Sequence, residues 1–362
     1  MKRIAVIFLS LFILFPVFSC AEEIDYGLYD WSFRNGVLKI EGEGELPEGG
    51  PWNDYLVKAD TLELGEGITS FAFSVKKTRK SIPLARMIVH GRTKINTKML
   101  EYSKYLKEIQ LAGKTSMINW EDISKISRIK NIVVADSDAD YDFVNGYLYS
   151  KDHTILYYYC GTETSINLPE GVKIIGNGVF YKTDITDIIL PSTLTEIGSN
   201  AFEACKNLTN IIIPENVLHI GDYAFYKSGL EKVKFRTKKL EYPYTYTTID
   251  GREGKVQGKS VFSETKLRKI SLPGCGSVHD SFFANNRYLE GIVIGEGAEA
   301  MPGAGLFKKC PKLKYVYIPA TVVEFGDSAF EEIAPGCVIT CEKGAPVIEF
   351  AEKNGIKYEI IK

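Results

Sequence analysis

The 362 residues are 45% hydrophobic and 25% charged, a globular balance that excludes wholesale disorder. The formal net charge of −2 leaves no basic excess to hold a phosphate backbone, so nucleic acid is not an expected partner. The 21 tyrosines suit strands and contact surfaces, where a rigid ring carries one polar tip.

In chain order, the first feature is a leader. Lys2 and Arg3 precede an apolar run from Ile4 to Phe15, followed by "VFSC" at Val17 to Cys20. A basic start, a short apolar run and small residues before a cut predict a secretory signal over residues 1–19. The run is too short for a spanning helix of roughly 20 apolar residues. The ending resembles a bacterial lipobox, with Phe18 standing where a small or β-branched residue is usual and Cys20 as the lipidated mature amino terminus. Ordinary cleavage after Ala21, with Ser19 and Ala21 as the small pair, is the alternative. Either route exports the protein, and lipidation tethers it to a membrane surface without crossing it.

Residues 20–57 are predicted to form an amino-terminal β cap. "WSFRNGVLKIEGEG", Trp31 to Gly44, reads as a hairpin turning at Asn35-Gly36, a favoured two-residue turn. From residue 58 to 341 a phrase recurs: Leu/Ile, two residues, Ile/Val, one residue, Leu/Ile/Phe. It reads "ITDIIL" from Ile185, "LTNIII" from Leu208, "LEKVKF" from Leu230, "LRKISL" from Leu267, "LEGIVI" from Leu289 and "LKYVYI" from Leu313, at steps of 23, 22, 37, 22 and 24 residues. Fainter copies start at Leu84, Leu106 and Ile129, with two more at Ala59 ("ADTLEL") and Thr162 ("TETSINL"). Residues 58–165 are therefore the divergent part of the array and 166–341 the regular part.

A strict step of this kind predicts stacked coils, because one unit cannot bury its apolar face alone. The phrase alternates, so its first, fourth and sixth positions share one side of a strand. Between phrases lie "IGNGVF" (Ile175 to Phe180), "IGSNAF" (Ile197 to Phe202) and "IGDYAF" (Ile220 to Phe225). Here Ile and Phe are expected in the core. The glycine, also at Gly326, is expected to make a tight bend, and the residues between are expected to face solvent. Phe180, Phe202, Phe225, Phe262, Phe283, Phe307 and Phe330 predict an internal aromatic stack. Pro169, Pro191, Pro214, Pro273 and Pro319 fall just after the strands, where a missing N–H ends the ladder. Two inserts interrupt the array, a hairpin near 143–160 and an extra segment at 236–260. Both are expected to leave the stack as loops on one face. "GAPVIEFAEKNGIKYEII" in residues 342–362 predicts a terminal cap of a short helix and a last strand.

"LPSTLTEIGSNAFEACKNLTNIII", Leu190 to Ile213, resembles almost position for position the unit of the BspA-like, treponemal-type leucine-rich repeat family. The likeness is strong over 166–235 and 262–340 and in register over 59–134. It implies a mainly β repeat solenoid, a right-handed superhelix of about 23-residue coils with a concave parallel sheet and a cap at each end. It also implies a bacterial envelope protein, lipid-anchored at the outer membrane or cell surface, that adheres to proteins of a host or of neighbouring cells.

The sequence offers no catalytic constellation. No two of His90, His153, His219 and His279 lie at metal-ligand spacing, and none has a cysteine partner at zinc-finger distance. The glycines of "GEGITS" and "IGEGAEAMPGAG" have no P-loop ending, and no Gly-x-Ser-x-Gly elbow is present. No enzyme activity, metal or cofactor is expected. Cys205 and Cys310 each fall three residues after a stacking Phe, the family's cysteine position. Coils rise by about 4.8 Å, so these two lie beyond disulfide reach and read as buried free thiols.

Surface remains. The third and fifth positions of each strand point away from the core. They give Asp187 and Ile189, Asn210 and Ile212, Lys232 and Lys234, Lys269 and Ser271, and Tyr315 and Tyr317 as candidate ligand-binding residues. Tyr242, Tyr244 and Tyr246 alternate in the second insert. They either form a contact loop or fold back to cover the solenoid. A protein ligand is the expected partner. A glycan-binding module and a self-assembling envelope component are the alternatives, and a lipid anchor is the expected route to a membrane.

Overall fold

The computed structural model describes residues 26–47, 49–71, 82–95, 103–113, 120, 123–124, 129–136, 138, 140–247 and 253–361. The leader and Cys20 lie outside them. The chain is a mainly β solenoid of about 12 turns with a spacing of about 23 residues.

The recurring phrase forms a first, parallel ladder. Val37–Gly42, Thr61–Leu64, Arg86–Val89, Glu108–Leu111 and Asn131–Val134 pair in that order. Tyr29–Arg34 closes the outer edge antiparallel, through a hairpin whose Asn35 and Gly36 both take positive φ. In the regular half, Ser165–Asn167 pairs with Asp187–Ile189, and Asn210–Ile213 with Lys232–Phe235. Lys269–Ser271, Gly291–Val293, Tyr315–Tyr317, Val338–Cys341 and Tyr358–Ile360 form the last sheet, with helix Val347–Lys353 between its final two strands. The strands before Pro169, Pro191, Pro214, Pro273 and Pro319 all stop one or two residues short of the proline. There the missing N–H cannot extend the ladder.

Each return path also pairs with its neighbours. Ile155–Tyr159, Ile174–Ile175, Glu196–Ile197 and His219–Ile220 make a second parallel ladder. A third side carries alternate backbone bonds from coil to coil. Phe180 N–H donates to Ala201 O at 2.8 Å, Phe202 to Ala224 at 2.8 Å and Phe225 to Val261 at 3.0 Å. This last bond bridges the long step. The expectation that the whole 236–260 segment leaves the array as a loop is not met. Lys239–Leu240 pairs in parallel with Gly274–Cys275 and Leu240 is buried in the core, while Tyr244–Thr247 and Glu253–Val256 form the added hairpin.

Inside, the phenylalanines stack. Ring centroids lie 5.2 Å apart for Phe180–Phe202 and 5.3 Å apart for Phe202–Phe225 and Phe225–Phe262. The row continues through Phe283 and Phe307 to Phe330. Burying each ring contributes about 2–3 kcal/mol. Three residues on, a polar row closes the Phe carbonyls. The Cys205 thiol donates to Phe180 O at 2.9 Å and that of Cys310 to Phe283 O at 3.1 Å. Asn286 takes the same place, donating to Phe262 O and Phe283 O and accepting from the Thr265 amide and hydroxyl. All six cysteines from Cys160 onward are free. Burial pushes the Cys205 thiol up to about 12.

Three further expectations are corrected. Gly176, Gly198, Gly221 and Gly326 take no left-handed φ, so they are not bend residues. They let coils approach. A Cβ at Gly221 would lie 2.2 Å from Ser199 N, and one at Gly326 would lie 2.3 Å from Pro302 O. The left-handed residues come two positions later, at Gly178, Asn200 and Tyr223. Nor do all the residues between Gly and Phe face solvent, since Val179, Ala201 and Ala224 are buried. The first insert is not a surface loop either. Tyr141–Val144, Tyr147–Ser150 and Ile155–Tyr159 form an antiparallel sheet in the path of the core. Leu148 and Tyr158 pack with the amino-terminal core, Tyr149, Leu156 and Tyr159 with the carboxy-terminal one.

Candidate interaction face

The first ladder positions the face. On its strands the fourth phrase positions Ile188, Ile211, Ile270, Ile292 and Val316 are buried. Alternation turns the third and fifth positions outward. Asp187, Ile189, Asn210, Ile212, Lys232, Lys234, Lys269 and Ser271 are all exposed, and Tyr315 and Tyr317 are half-buried. Register brings them together across coils: Asn210 lies beside Lys232, Ile212 beside Lys234, and Gly291 beside Tyr315.

At the tyrosine end the ring of Tyr315 lies on Gly291. A Cβ on that glycine would come within 2.2 Å of Tyr315 Cζ, so the missing side chain makes the ring's seat. Tyr317 donates from its hydroxyl to Glu296 Oε1 at 3.0 Å. Burial, with help from that carboxylate, pushes its phenol up to about 12.

At the other end the ladder parts. Asp187–Ile189 and Asn210–Ile213 belong to neighbouring coils yet to separate sheets. A depression of about 290 Å³ opens there, lined by the apolar Ile188, Ile189, Leu190, Ile212 and Pro214 and by the polar Glu170, Ser192, Glu215 and Arg236. Glu170 is already engaged, accepting from the Ser192 amide at 3.0 Å and hydroxyl at 2.9 Å and from the Thr193 amide at 3.3 Å. These donors, Ser192 foremost, hold its carboxyl below the usual range. Sequence reasoning missed Arg236. It stands past the strand's end, yet it continues the alternation of Lys232 and Lys234 by one more step.

Two of the three tyrosines of the second insert turn toward the solenoid. Tyr242 is buried, and its hydroxyl donates to Ile220 O at 2.7 Å. Tyr244 stacks on His219 with ring centroids 4.3 Å apart. The apolar flank of the second ladder draws both rings inward, so the covering arrangement prevails for these two. The peptide bond Tyr242-Pro243 is cis. Tyr244–Thr247 pairs antiparallel with Glu253–Val256, and the side chain of Tyr246 lies outside the described residues.

Of the histidines, His90, His153 and His219 each face a carboxylate, Glu63, Asp142 and Glu241 respectively. Among the described residues no cluster of three or more His, Cys, Asp or Glu is arranged to hold a metal ion, and no helix is long and apolar enough to cross a membrane.

The BspA type leucine rich repeat region matches the chain in six copies, over residues 153–249 and 252–335. None of the curated proteins matches it. Among solved structures, a leucine-rich repeat protein of Eubacterium ventriosum is 17% identical, with 84% of this chain and 91% of that one covered and a TM-score of 0.41. A leucine-rich cell surface protein of Faecalibacterium prausnitzii is 15% identical, with 94% and 98% covered and a TM-score of 0.30. The T. pallidum leucine-rich repeat protein is 19% identical, with 59% and 94% covered and a TM-score of 0.34.

Proposed function

The chain belongs to the BspA-type leucine-rich repeat family, and from that premise we propose that it is a non-enzymatic interaction protein of the bacterial envelope. It binds a protein of a host or neighbouring cell through the outward face of the first ladder. The observation that carries this reading is the row of uncovered outward side chains from Asp187 to Lys269, ending in Tyr315 and Tyr317. Such a surface, stiffened by backbone bonds that link neighbouring coils along the strand ladders and the turn side, presents contacts at little entropic cost. Residues 1–19 direct export and Cys20 carries the anchor. Labelling cells with a radioactive fatty acid tests that part, and label retained by Cys20→Ala counts against it.

The binding claim is tested by coating beads with the purified protein and measuring their capture by intact cells and by a panel of purified surface proteins. A variant combining Lys232→Glu, Lys269→Glu and Tyr315→Ala alters outward side chains alone. It should fold normally and lose most of the capture. Capture equal to that of the unaltered protein would overturn the assignment of the face. Capture competed away by soluble glycans would redirect it to sugar binding.

A further inference from the structure

Resting on that reading of the face, we propose that the partner offers an acidic protein segment bearing a branched aliphatic side chain. The aliphatic group seats between Ile189 and Ile212, and the carboxylates that follow it lie along Lys232, Lys234, Arg236 and Lys269.

Three independent features meet at one place. The first is the parting of the ladder between Asp187–Ile189 and Asn210–Ile213. On either side of it stands an outward isoleucine, Ile189 64% and Ile212 46% exposed. The depression between them, about 290 Å³, is at or below the roughly 300–1,000 Å³ of small-molecule pockets. It suits one side chain of a larger partner, with Ile188, Ile189, Leu190, Ile212 and Pro214 as its apolar lining.

The second feature is charge. Lys232 and Lys234 alternate on the strand whose Lys234 stands in register with Ile212. Arg236 continues that row and lines the depression itself. Lys269 lies on the next phrase strand along the array. Among the described residues none of these four forms an ion pair, whereas nearby Arg268 and Lys314 both pair with Glu290. Although Lys269 lies in the field of Glu290, these four cations gather positive charge in a chain of net charge −2, which favours an anionic partner.

The third feature sets direction. Glu170, which accepts from Ser192 and Thr193 and keeps its charge, and the exposed Glu215 both line the depression. The carboxylates of an acidic segment are therefore repelled from the depression itself and follow the row through Lys234 and Lys232 toward Lys269. A sulfated or uronic glycan would satisfy the lysines but leave the isoleucines uncovered, since no aromatic ring lines the depression for a sugar to stack on. A polypeptide uses both.

The test is fluorescence anisotropy of the purified protein with three labelled probes. They are a ten-residue peptide alternating Glu and Ile, the same peptide with Ser for Ile, and a sulfated oligosaccharide of similar charge. The Glu-Ile peptide should bind about fivefold or more tighter than its Ser counterpart, the value of one aliphatic group leaving water. Ile212→Ser should erase that preference while leaving the Ser peptide's affinity unchanged. Lys232→Glu, Lys234→Glu and Arg236→Glu together should weaken the Glu-Ile peptide by about tenfold, three exposed ion pairs at a factor of roughly two each. The proposal is overturned by no peptide binding, by equal binding of the Ser peptide or the oligosaccharide, or by indifference to the triple substitution. If the peptide fails while the strand-face variant still abolishes bead capture, the face stands and the acidic partner falls. If both fail, so does the face.

Discussion

Replacing Gly221 by asparagine separates the two roles a recurrent glycine can have. A residue needed for a left-handed bend is replaceable by asparagine, which tolerates that conformation. A residue needed for close approach is not. At Gly221 any Cβ would lie 2.2 Å from Ser199 N, 2.5 Å from Gly198 C and 2.6 Å from Ser199 Cα, all backbone of the preceding coil. Reaching ordinary contact at 3.4 Å means moving one coil off the other by about an ångström. That strains the Gly221 N–H bond to Ile197 O, now 2.7 Å, and the neighbouring Asn200 N–H bond to Asp222 O, now 2.9 Å. Overpacking of this kind costs about 1–3 kcal/mol, and weakening two ladder bonds costs up to about 1 kcal/mol each. The lower entropy of the unfolded variant returns about 0.4–1 kcal/mol. Gly221→Asn should therefore lose about 2 kcal/mol, the middle of these ranges. Gly178 is the matched control. It takes φ +68 at the repeat position where the next coil already has Asn200 at φ +58, so Gly178→Asn should be close to neutral. Urea unfolding followed by far-ultraviolet circular dichroism reads both. Equal midpoints for the two variants would refute the close-approach argument.

Other outcomes follow from the same geometry. Phe202 is fully buried between Phe180 and Phe225. Phe202→Ala should cost about 3–5 kcal/mol in the same unfolding assay, and Phe202→Leu clearly less. Because its hydrogen bonds hold the Glu170 carboxyl below its usual range, that group adds stability at neutral pH, which is lost as the pH falls through the lowered folded value. The gap in urea midpoint between the unaltered protein and Glu170→Gln should thus narrow on acidification, and a constant gap would contradict the assignment. Burial pushes the thiols of Cys275 and Cys337 up to about 12 and that of Cys310 to about 11. Alkylation at mildly alkaline pH, mapped by mass spectrometry, should label these and Cys205 slowly in the folded protein and fully after denaturation without reductant. A cysteine that labels only after reduction would reveal a disulfide.

Much of the fold was legible because every coil buries the same positions. The phrase from Leu208 and that from Leu289 repeat one solution, and repetition amplifies a weak pattern. The cysteine position was readable for the same reason, although Asn286 in that place gave no signal until its four hydrogen bonds were seen. What escaped depends on distances between coils. The glycine after each Ile looks the same whether it bends the chain or touches its neighbour, and only the 2.2 Å approach at Gly221 decides. Alternating tyrosines from Tyr242 announce a common face without saying which side the solenoid lies on. Tyr242 and Tyr244 turned toward it, because Ile220 O and the ring of His219 were there to receive them. The depression was invisible as well. "ITDIIL" and "LTNIII" fit the pattern as well as any pair, yet the ladder parts between them.

The most direct measurement places a photo-cross-linking phenylalanine, one position at a time, on different sides of the coil. Ile212, Lys234 and Tyr317 sample the face of the first ladder, and the exposed Lys182 and Lys227 sample the turn side that carries the phenylalanine stack. After binding to target cells and irradiation, adducts should form from the first three positions and not from the last two. Adducts confined to Lys182 and Lys227 would contradict the claim that the first ladder meets the partner.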